Sequence, residues 1–172
     1  MLFKTLGDKS APAVLFFHAM GVTGESSGPV AAELADRFFC IMPTSTVYCA
    51  GQTYADKADE VRQIKEFLRG QGVERVEMVV AAGKALSYGN IRRQMADSLE
   101  DKPFPLLSKE LQKRCFFEFG SAEDHFKYRA AVMQAYPAGN FPVFDGYNHM
   151  QYQIRDPKGF AAMMELPFLQ KE

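Results

Sequence analysis

The sequence of 172 residues predicts an α/β fold in which a mostly parallel central sheet is flanked by helices. Short apolar runs alternate with segments whose apolar residues recur at helical spacing, which is the pattern of such a fold. The runs are apolar throughout, as is typical of parallel strands buried on both faces. Hydrophobic residues make up 47% of the chain and charged residues 24%, so an intrinsically disordered chain is excluded.

The first half of the chain predicts strands and helices in alternation. Three apolar runs predict strands, at residues 13–17, 38–42 and 76–82. We expect Pro43 to end the second strand, because proline donates no hydrogen bond to a ladder. A helix is expected to begin near Pro29, and the clearest helical stripe covers about residues 55–69.

The second half continues the alternation with shorter elements. Predicted elements are a strand at 115–119, a helix at 125–135, a short strand at 141–144 and a last helix from Pro157 with Asp156 as its N-cap. Residues 84–113 form polar helical patterns broken by prolines, which we interpret as a lid-like helical segment. The length predicts one domain over residues 1–172.

Composition narrows the function classes. A net charge of −1 and a pI near 6.3 argue against a nucleic-acid-binding protein. No apolar run approaches the ~20 residues of a membrane span, and no signal peptide is visible. The three cysteines are odd in number and widely spaced, which indicates reduced thiols and a cytoplasmic protein. The three histidines lack metal-ligand spacing, and we expect neither a metal nor a cofactor.

Three loops that follow predicted strands carry the candidate chemistry, because ligands collect at the carboxyl ends of parallel strands. The first reads His18-Ala19-Met20-Gly21, whose backbone N–H groups suit an oxyanion. The second, at 120–124, brings a carboxylate to the sheet edge, although Asp124 also suits a helix N-cap. The third, at 145–149, carries His149.

These loops, in this order, resemble those of α/β-hydrolases of the esterase/lipase type. The first loop is similar to the family's oxyanion loop, His-Gly-x-Gly. The family's acid loop is similar to Gly120-Ser121-Ala122-Glu123-Asp124, and its late histidine loop is similar to Gly146-Tyr147-Asn148-His149. The resemblance covers about residues 15–48 and 115–166. It implies that His149 is the general base and Asp124 its orienting acid, with Glu123 as the alternative. It also implies an oxyanion site at Met20 and Ala19, where Ala19 replaces the usual glycine.

The middle of the chain departs from the family at the nucleophile. The family places Gly-x-Ser-x-Gly after the third predicted strand, whereas residues 80–85 contain no serine, cysteine or aspartate. Ser87, in Ala85-Leu86-Ser87-Tyr88-Gly89, is the nearest substitute, and it is also explained as a surface or lid serine. A second interpretation is a shortened fold that lacks the elbow segment near residues 82–83, by natural deletion, by engineering or through missing residues.

The resemblance predicts a carboxylic-ester hydrolase with a serine-histidine-acid mechanism and a small uncharged ester-like substrate. Because the elbow is absent, we expect weak or no activity. The alternative is a non-catalytic small-molecule-binding protein on a truncated hydrolase fold. Nucleotide binding at 23–28 is a weaker hypothesis, since no lysine accompanies that loop. A homodimer is expected, because a sheet that lacks a strand leaves an open edge.

Overall fold

A computed structural model describes residues 1–19, 21–81 and 107–169 of the chain. The chain divides into two compact units, Met1–Asp101 and Lys102–Glu172. The described strands form one sheet in each unit. Each unit is considered by itself below.

The first unit is built on a four-stranded sheet. Its strands are β1 (Leu2–Leu6), β2 (Ala13–Phe17), β3 (Phe39–Thr44) and β4 (Val76–Ala81). They lie in the order β1-β3-β2-β4. β2 pairs in parallel with both β3 and β4, whereas β1 is antiparallel to β3. The mostly parallel sheet predicted from the sequence is therefore confirmed.

Two helices join these strands, α1 (Gly28–Leu34) and α2 (Lys57–Gly70). α2 begins where the Asp56 carboxylate accepts a hydrogen bond from the Asp59 N–H at 2.7 Å, which satisfies one of the free donors of the first turn. Arg62 and Glu66, one turn apart, form an ion pair at 3.0 Å on its exposed side. The prediction of a helix at 55–69 is confirmed to within two residues.

Both faces of the inner strands β2 and β3 are buried, which explains why the sequence there is almost entirely apolar. On one face Leu15 and Ile41 form a core cluster with Ile64 of α2. Successive side chains of a strand point to opposite faces, so Cys40 faces the other side. There its sulfur lies 3.6 Å from the Ala31 carbonyl oxygen of α1. Of the helices in the described residues, α2 thus packs on one face and α1 on the other.

The structure differs from the prediction at β1 and at the end of β3. β1 is an edge strand of alternating exposure, without the apolar run that marks the inner strands. The expectation that Pro43 ends the second strand is wrong, because β3 continues through it to Thr44. Pairing with β2 stops at Ile41, so no ladder bond to that strand is lost at Pro43, which lies opposite Phe3 of β1.

The second unit contains shorter elements. They are α3 (Lys109–Lys113), β5 (Phe119–Gly120), a 3₁₀ helix (Asp124–Tyr128), α4 (Arg129–Ala135), β6 (Val143–Phe144), α5 (Gln151–Arg155) and α6 (Pro157–Leu169). β5 and β6 are parallel. The predicted strand at 115–119 is shorter than expected, because its first residues bond to an irregular segment. The Phe117 N–H donates to the Asn140 carbonyl at 2.8 Å, and the Asn140 N–H donates to the Cys115 carbonyl at 2.9 Å.

The last helix begins as the sequence predicts. The Asp156 carboxylate accepts a hydrogen bond from the Gly159 N–H at 2.8 Å and so caps α6. Of the predicted lid-like segment, residues 84–106 lie outside the described residues, and the described part ends in the short helix α3. Within residues 1–19, 21–81 and 107–169, none of the helices combines the length and the apolar character that a membrane span requires.

Candidate active site

The acid loop and the histidine loop follow the two paired strands of the second unit. Phe119 pairs with Val143 and Gly120 with Phe144, in parallel. The carboxyl ends of neighbouring parallel strands meet at one edge of a sheet, so the loops that follow them are adjacent. This is the arrangement that the sequence predicts for the two loops.

The structure brings His149 together with Glu123. The Nδ1 atom of His149 lies 2.6 Å from Oε2 of Glu123. The Glu123 side chain is only 3% exposed, whereas that of His149 is 38% exposed. An ionised carboxylate accepts hydrogen bonds and donates none, so the proton of this contact belongs to Nδ1. In the neutral ring with its proton on Nδ1, Nε2 is the basic nitrogen.

Asp124, the acid that the sequence analysis puts first, occupies a different position. It is exposed and begins the 3₁₀ helix Asp124–Tyr128. Glu123 precedes that helix in an extended conformation, with φ −88° and ψ 147°, so its side chain leaves the turn in another direction. The structure therefore pairs His149 with the alternative acid, Glu123.

Hydrogen bonds join the acid loop directly to the histidine loop. The Ser121 hydroxyl donates to Asp145 at 2.9 Å and accepts from the Gly146 N–H at 2.8 Å. The Ala122 N–H donates to the Tyr147 carbonyl at 3.1 Å. These bonds, which we call the loop clasp, hold the two loops at a fixed separation next to the Glu123–His149 contact.

Gly120 makes this close approach possible. A Cβ atom at this position would lie 2.1 Å from the Tyr147 carbonyl oxygen and 2.7 Å from its carbon. Only a residue without a side chain leaves room for the backbone of the histidine loop. The sequence analysis noted Gly120 only as part of the acid loop, because the contact is made with a segment more than 20 residues away.

The histidine is held on a strained turn. Met150, directly after it, has φ +59°, in the left-handed region that residues other than glycine rarely adopt. The turn is fixed on both sides, because the Gln151 side chain accepts from the Asn148 N–H at 3.0 Å and the Asn148 side chain accepts from the His149 N–H at 2.7 Å. Strain of this kind persists where surrounding contacts over-determine the backbone, as they do at many functional sites.

In the first unit, side chains hold the predicted oxyanion loop on either side of Met20. The Nε2 atom of His18 accepts the Ser45 N–H at 3.0 Å, so the ring proton lies on Nδ1, which is 2.7 Å from the Ala19 carbonyl oxygen. The Gly21 N–H donates to the Tyr48 hydroxyl at 2.8 Å. Met20 itself and Ser87 lie outside the described residues.

Sequence reasoning missed the role of Glu60 on α2. One of its carboxylate oxygens, Oε1, accepts from the Ser45 hydroxyl at 2.6 Å and from both the N–H and the hydroxyl of Thr46 at 2.8 Å. The same Ser45 supplies the N–H that holds the His18 ring. The sequence does contain a signal for this contact, a Ser-Thr pair directly after a buried strand, because the hydroxyls of these residues readily form hydrogen bonds with nearby polar groups.

No protein-family model matches the sequence, and no curated protein sequence does either. Solved structures, in contrast, are similar over nearly the whole chain. The structural alignment with a marine microorganism esterase includes 97% of this chain and 98% of the esterase, at 13% sequence identity and a TM-score of 0.65. The chain has an α/β-hydrolase fold.

Two further solved structures are similar over most of the chain. The alignment with a carboxylesterase from Bacillus subtilis includes 97% of this chain and 86% of the carboxylesterase, at 12% sequence identity and a TM-score of 0.64. The alignment with a serine hydrolase from Cycloclasticus zankles includes 96% of this chain and 93% of the hydrolase, at 12% sequence identity and a TM-score of 0.66. The resemblance that the three loops suggest is thus confirmed at the level of the fold.

Proposed function

We propose that this α/β-hydrolase-fold chain hydrolyses small, uncharged carboxylic esters by a serine-histidine-acid mechanism. The observation that carries the proposal is the contact between His149 Nδ1 and the buried Glu123 carboxylate. A carboxylate in this position fixes the tautomer and the orientation of the ring, which is the task of the acid in such a mechanism.

In the proposed reaction, Nε2 of His149 removes the proton of the nucleophilic hydroxyl. The imidazolium that forms is stabilised by Glu123, and because this carboxylate is almost fully buried, water and salt screen the attraction only weakly. The nucleophilic oxygen bonds to the ester carbonyl carbon, and as the carbon–oxygen bond to the alcohol breaks, the same Nε2 gives the proton to the departing alcohol and leaves an acyl ester. Water cleaves the acyl intermediate by the reverse sequence of proton transfers.

The nucleophile of the proposal is Ser87, and the oxyanion donors are the N–H groups of the loop at Met20 and Ala19. The anchoring of this loop supports the second assignment, because the Ala19 carbonyl and the Gly21 N–H both have side-chain partners. A donor preorganised in this way pays no reorganisation cost when negative charge develops on the substrate.

The proposed substrate is uncharged because of the charges in the loops. None of residues 18–21, 120–124 and 145–149 is lysine or arginine, whereas Glu123, Asp124 and Asp145 are acidic. An anionic ester would meet repulsion from these carboxylates. Short p-nitrophenyl esters are therefore the appropriate probes.

Adjacent carboxylates provide a matched test of the proposal. Glu123→Gln keeps the size of the side chain but removes the charge, and we expect it to lower kcat/KM for p-nitrophenyl acetate by about a thousandfold or more. Asp124→Asn makes the same chemical change at an exposed neighbour, and its rate is expected to stay within about threefold of the parent. Equal effects of the two substitutions would contradict the assignment of Glu123.

Ser87 is tested separately with a fluorophosphonate probe, which reacts with activated serines. If Ser87 is the nucleophile, the probe labels it and Ser87→Ala abolishes both the labelling and ester hydrolysis. If the parent chain is not labelled and Ser87→Ala hydrolyses esters no differently, the proposed nucleophile is wrong. Labelling that survives Ser87→Ala shows that another residue attacks the ester.

A further inference from the structure

The segment that follows β3 holds both ends of the predicted oxyanion loop. The Ser45 N–H donates to Nε2 of His18 at 3.0 Å, and the Tyr48 hydroxyl accepts from the Gly21 N–H at 2.8 Å. We call residues 44–48, which supply these partners, the brace segment.

A third hydrogen bond joins the brace segment to the residues that follow the loop. The Gly24 N–H donates to the Thr44 hydroxyl oxygen at 3.0 Å. A Cβ atom at Gly24 would lie 2.7 Å from the carbonyl oxygens of Met42 and Pro43, so the backbone here packs directly on the end of β3. Because these contacts are made by backbone, a shift of the brace segment displaces the loop as well.

One carboxylate of α2 sets the position of the brace segment. Oε1 of Glu60 accepts from the Ser45 hydroxyl at 2.6 Å and from both the N–H and the hydroxyl of Thr46 at 2.8 Å. Ser45 and Thr46 are buried, so their donors depend on this acceptor. None of these three hydrogen bonds reaches the oxyanion loop itself, and Glu60 therefore acts on the loop through Ser45.

We propose that Glu60 is a positioning residue for the proposed ester hydrolysis, on which this inference rests, and that it acts on the oxyanion donor. The Ser45 N–H holds the His18 ring, and the Nδ1 proton of that ring lies against the Ala19 carbonyl oxygen. This carbonyl and the Met20 N–H belong to one planar peptide group, so a held carbonyl restricts the direction in which the N–H points.

Kinetics of ester hydrolysis test the proposal. Oxyanion donors act on the charge that develops in the transition state, so their displacement lowers kcat and kcat/KM by the same factor. Removal of one such donor lowers kcat by about 10²–10³-fold. Because Glu60→Ala displaces the donor without removing it, both constants for p-nitrophenyl acetate should fall about tenfold to hundredfold. Glu60→Gln keeps an oxygen acceptor and should stay within about fivefold of the parent.

Ile64→Ala separates positioning from a loss of stability. Ile64 lies one turn after Glu60 on α2 and belongs to the core cluster, so alanine there destabilises the packing of the same helix and removes no hydrogen bond of the brace segment. Under conditions in which urea unfolding shows both variants to be folded, Ile64→Ala should keep kcat within about threefold of the parent. Equal losses of kcat in the two variants, or a change in KM alone in Glu60→Ala, would overturn the proposal. If Glu60→Ala does not fold, Glu60→Asp replaces it, because its shorter side chain cannot reach all three donors, and an unchanged kcat there would overturn the proposal in the same way.

The His18 ring provides a measurement that needs no hydrolysis. In NMR spectra of the full chain, the ¹⁵N chemical shifts of the ring report which nitrogen carries the proton, and the His18 signals are those lost in His18→Asn. At mildly alkaline pH we expect the proton on Nδ1 in the parent and in Glu60→Gln, and a mixture of tautomers in Glu60→Ala, where the Ser45 N–H no longer stays on Nε2. The same single tautomer in Glu60→Ala would overturn the proposal. A parent chain that hydrolyses no ester overturns the proposed function instead, and the tautomer still decides whether Glu60 positions the loop.

Discussion

Replacing Gly120 by alanine would force a methyl group against the backbone of the histidine loop. The new carbon would lie 2.1 Å from the Tyr147 oxygen and 3.1 Å from the Asn148 oxygen. A Cβ atom is essentially never found within 3.0 Å of another heavy atom, so the loops must move apart by about an ångström. A backbone segment, unlike the end of a flexible side chain, cannot rotate away from the contact.

The cost follows from the contacts that this movement disturbs. Overpacking of a close contact costs about 1–3 kcal/mol. Separation of the loops also breaks the hydrogen bond from the Ala122 N–H to the Tyr147 carbonyl, which contributes about 1 kcal/mol. We therefore expect Gly120→Ala to lower the free energy of unfolding by about 2–4 kcal/mol, equivalent to about 5–15 °C in Tm for a chain of this size.

Gly146→Ala provides the control within the same pair of loops. Gly146 has φ +73° and nothing within 4 Å of an added Cβ, so alanine there introduces backbone strain of about 1–2 kcal/mol but no clash. Urea unfolding of the parent and both variants measures the difference. If Gly120→Ala is no more destabilising than Gly146→Ala, the two loops are not packed backbone to backbone and the reasoning fails.

Other predictions concern the first unit and assembly. Glu60→Ala removes the acceptor of three hydrogen bonds and leaves the buried hydroxyls of Ser45 and Thr46 unsatisfied. It should therefore lower the free energy of unfolding, measured with urea, by about 2–4 kcal/mol, and Glu60→Gln should lower it by less. Burial raises the pKa of Cys40 to about 12, so iodoacetamide should label this thiol near neutral pH only after unfolding. The ordinary pKa of a cysteine thiol is 9.0, so the unfolded chain releases this proton at lower pH than the folded chain does. The free energy of unfolding should therefore fall as the pH rises from 9.0 towards 12, and a flat pH dependence in this range would contradict the prediction. Sedimentation should show a homodimer at tens of micromolar, and a monomer at that concentration would refute that expectation.

The sequence predicts well the elements whose signals are local. The apolar run at 13–17 is β2 itself, because a strand buried on both faces has no polar position. The pattern at residues 55–69 predicts α2 because the apolar stripe of the helix and its N-cap lie within one short segment of the chain. The N-cap at Asp156 is also local, since the carboxylate bonds to an N–H three residues later.

The remaining features depend on contacts between distant segments. Pro43 continues a strand because β2 happens to stop pairing before it, which the residues around Pro43 do not reveal. The choice between Glu123 and Asp124 depends on where one extended residue ends and a 3₁₀ helix begins. Both residues are acidic, so only the conformation of the loop decides which carboxylate faces His149.

The loop clasp makes the geometry of the acid and the base insensitive to the length of the chain between them. Ser121 and Asp145 are joined side chain to side chain, and both strands that precede them are only two residues long. The separation of Glu123 from His149 is therefore set at the ends of the connecting segment and not by the helices within it. Insertions or deletions around residues 129–140 would be absorbed there, so related chains could differ widely in this stretch and still present the same pair.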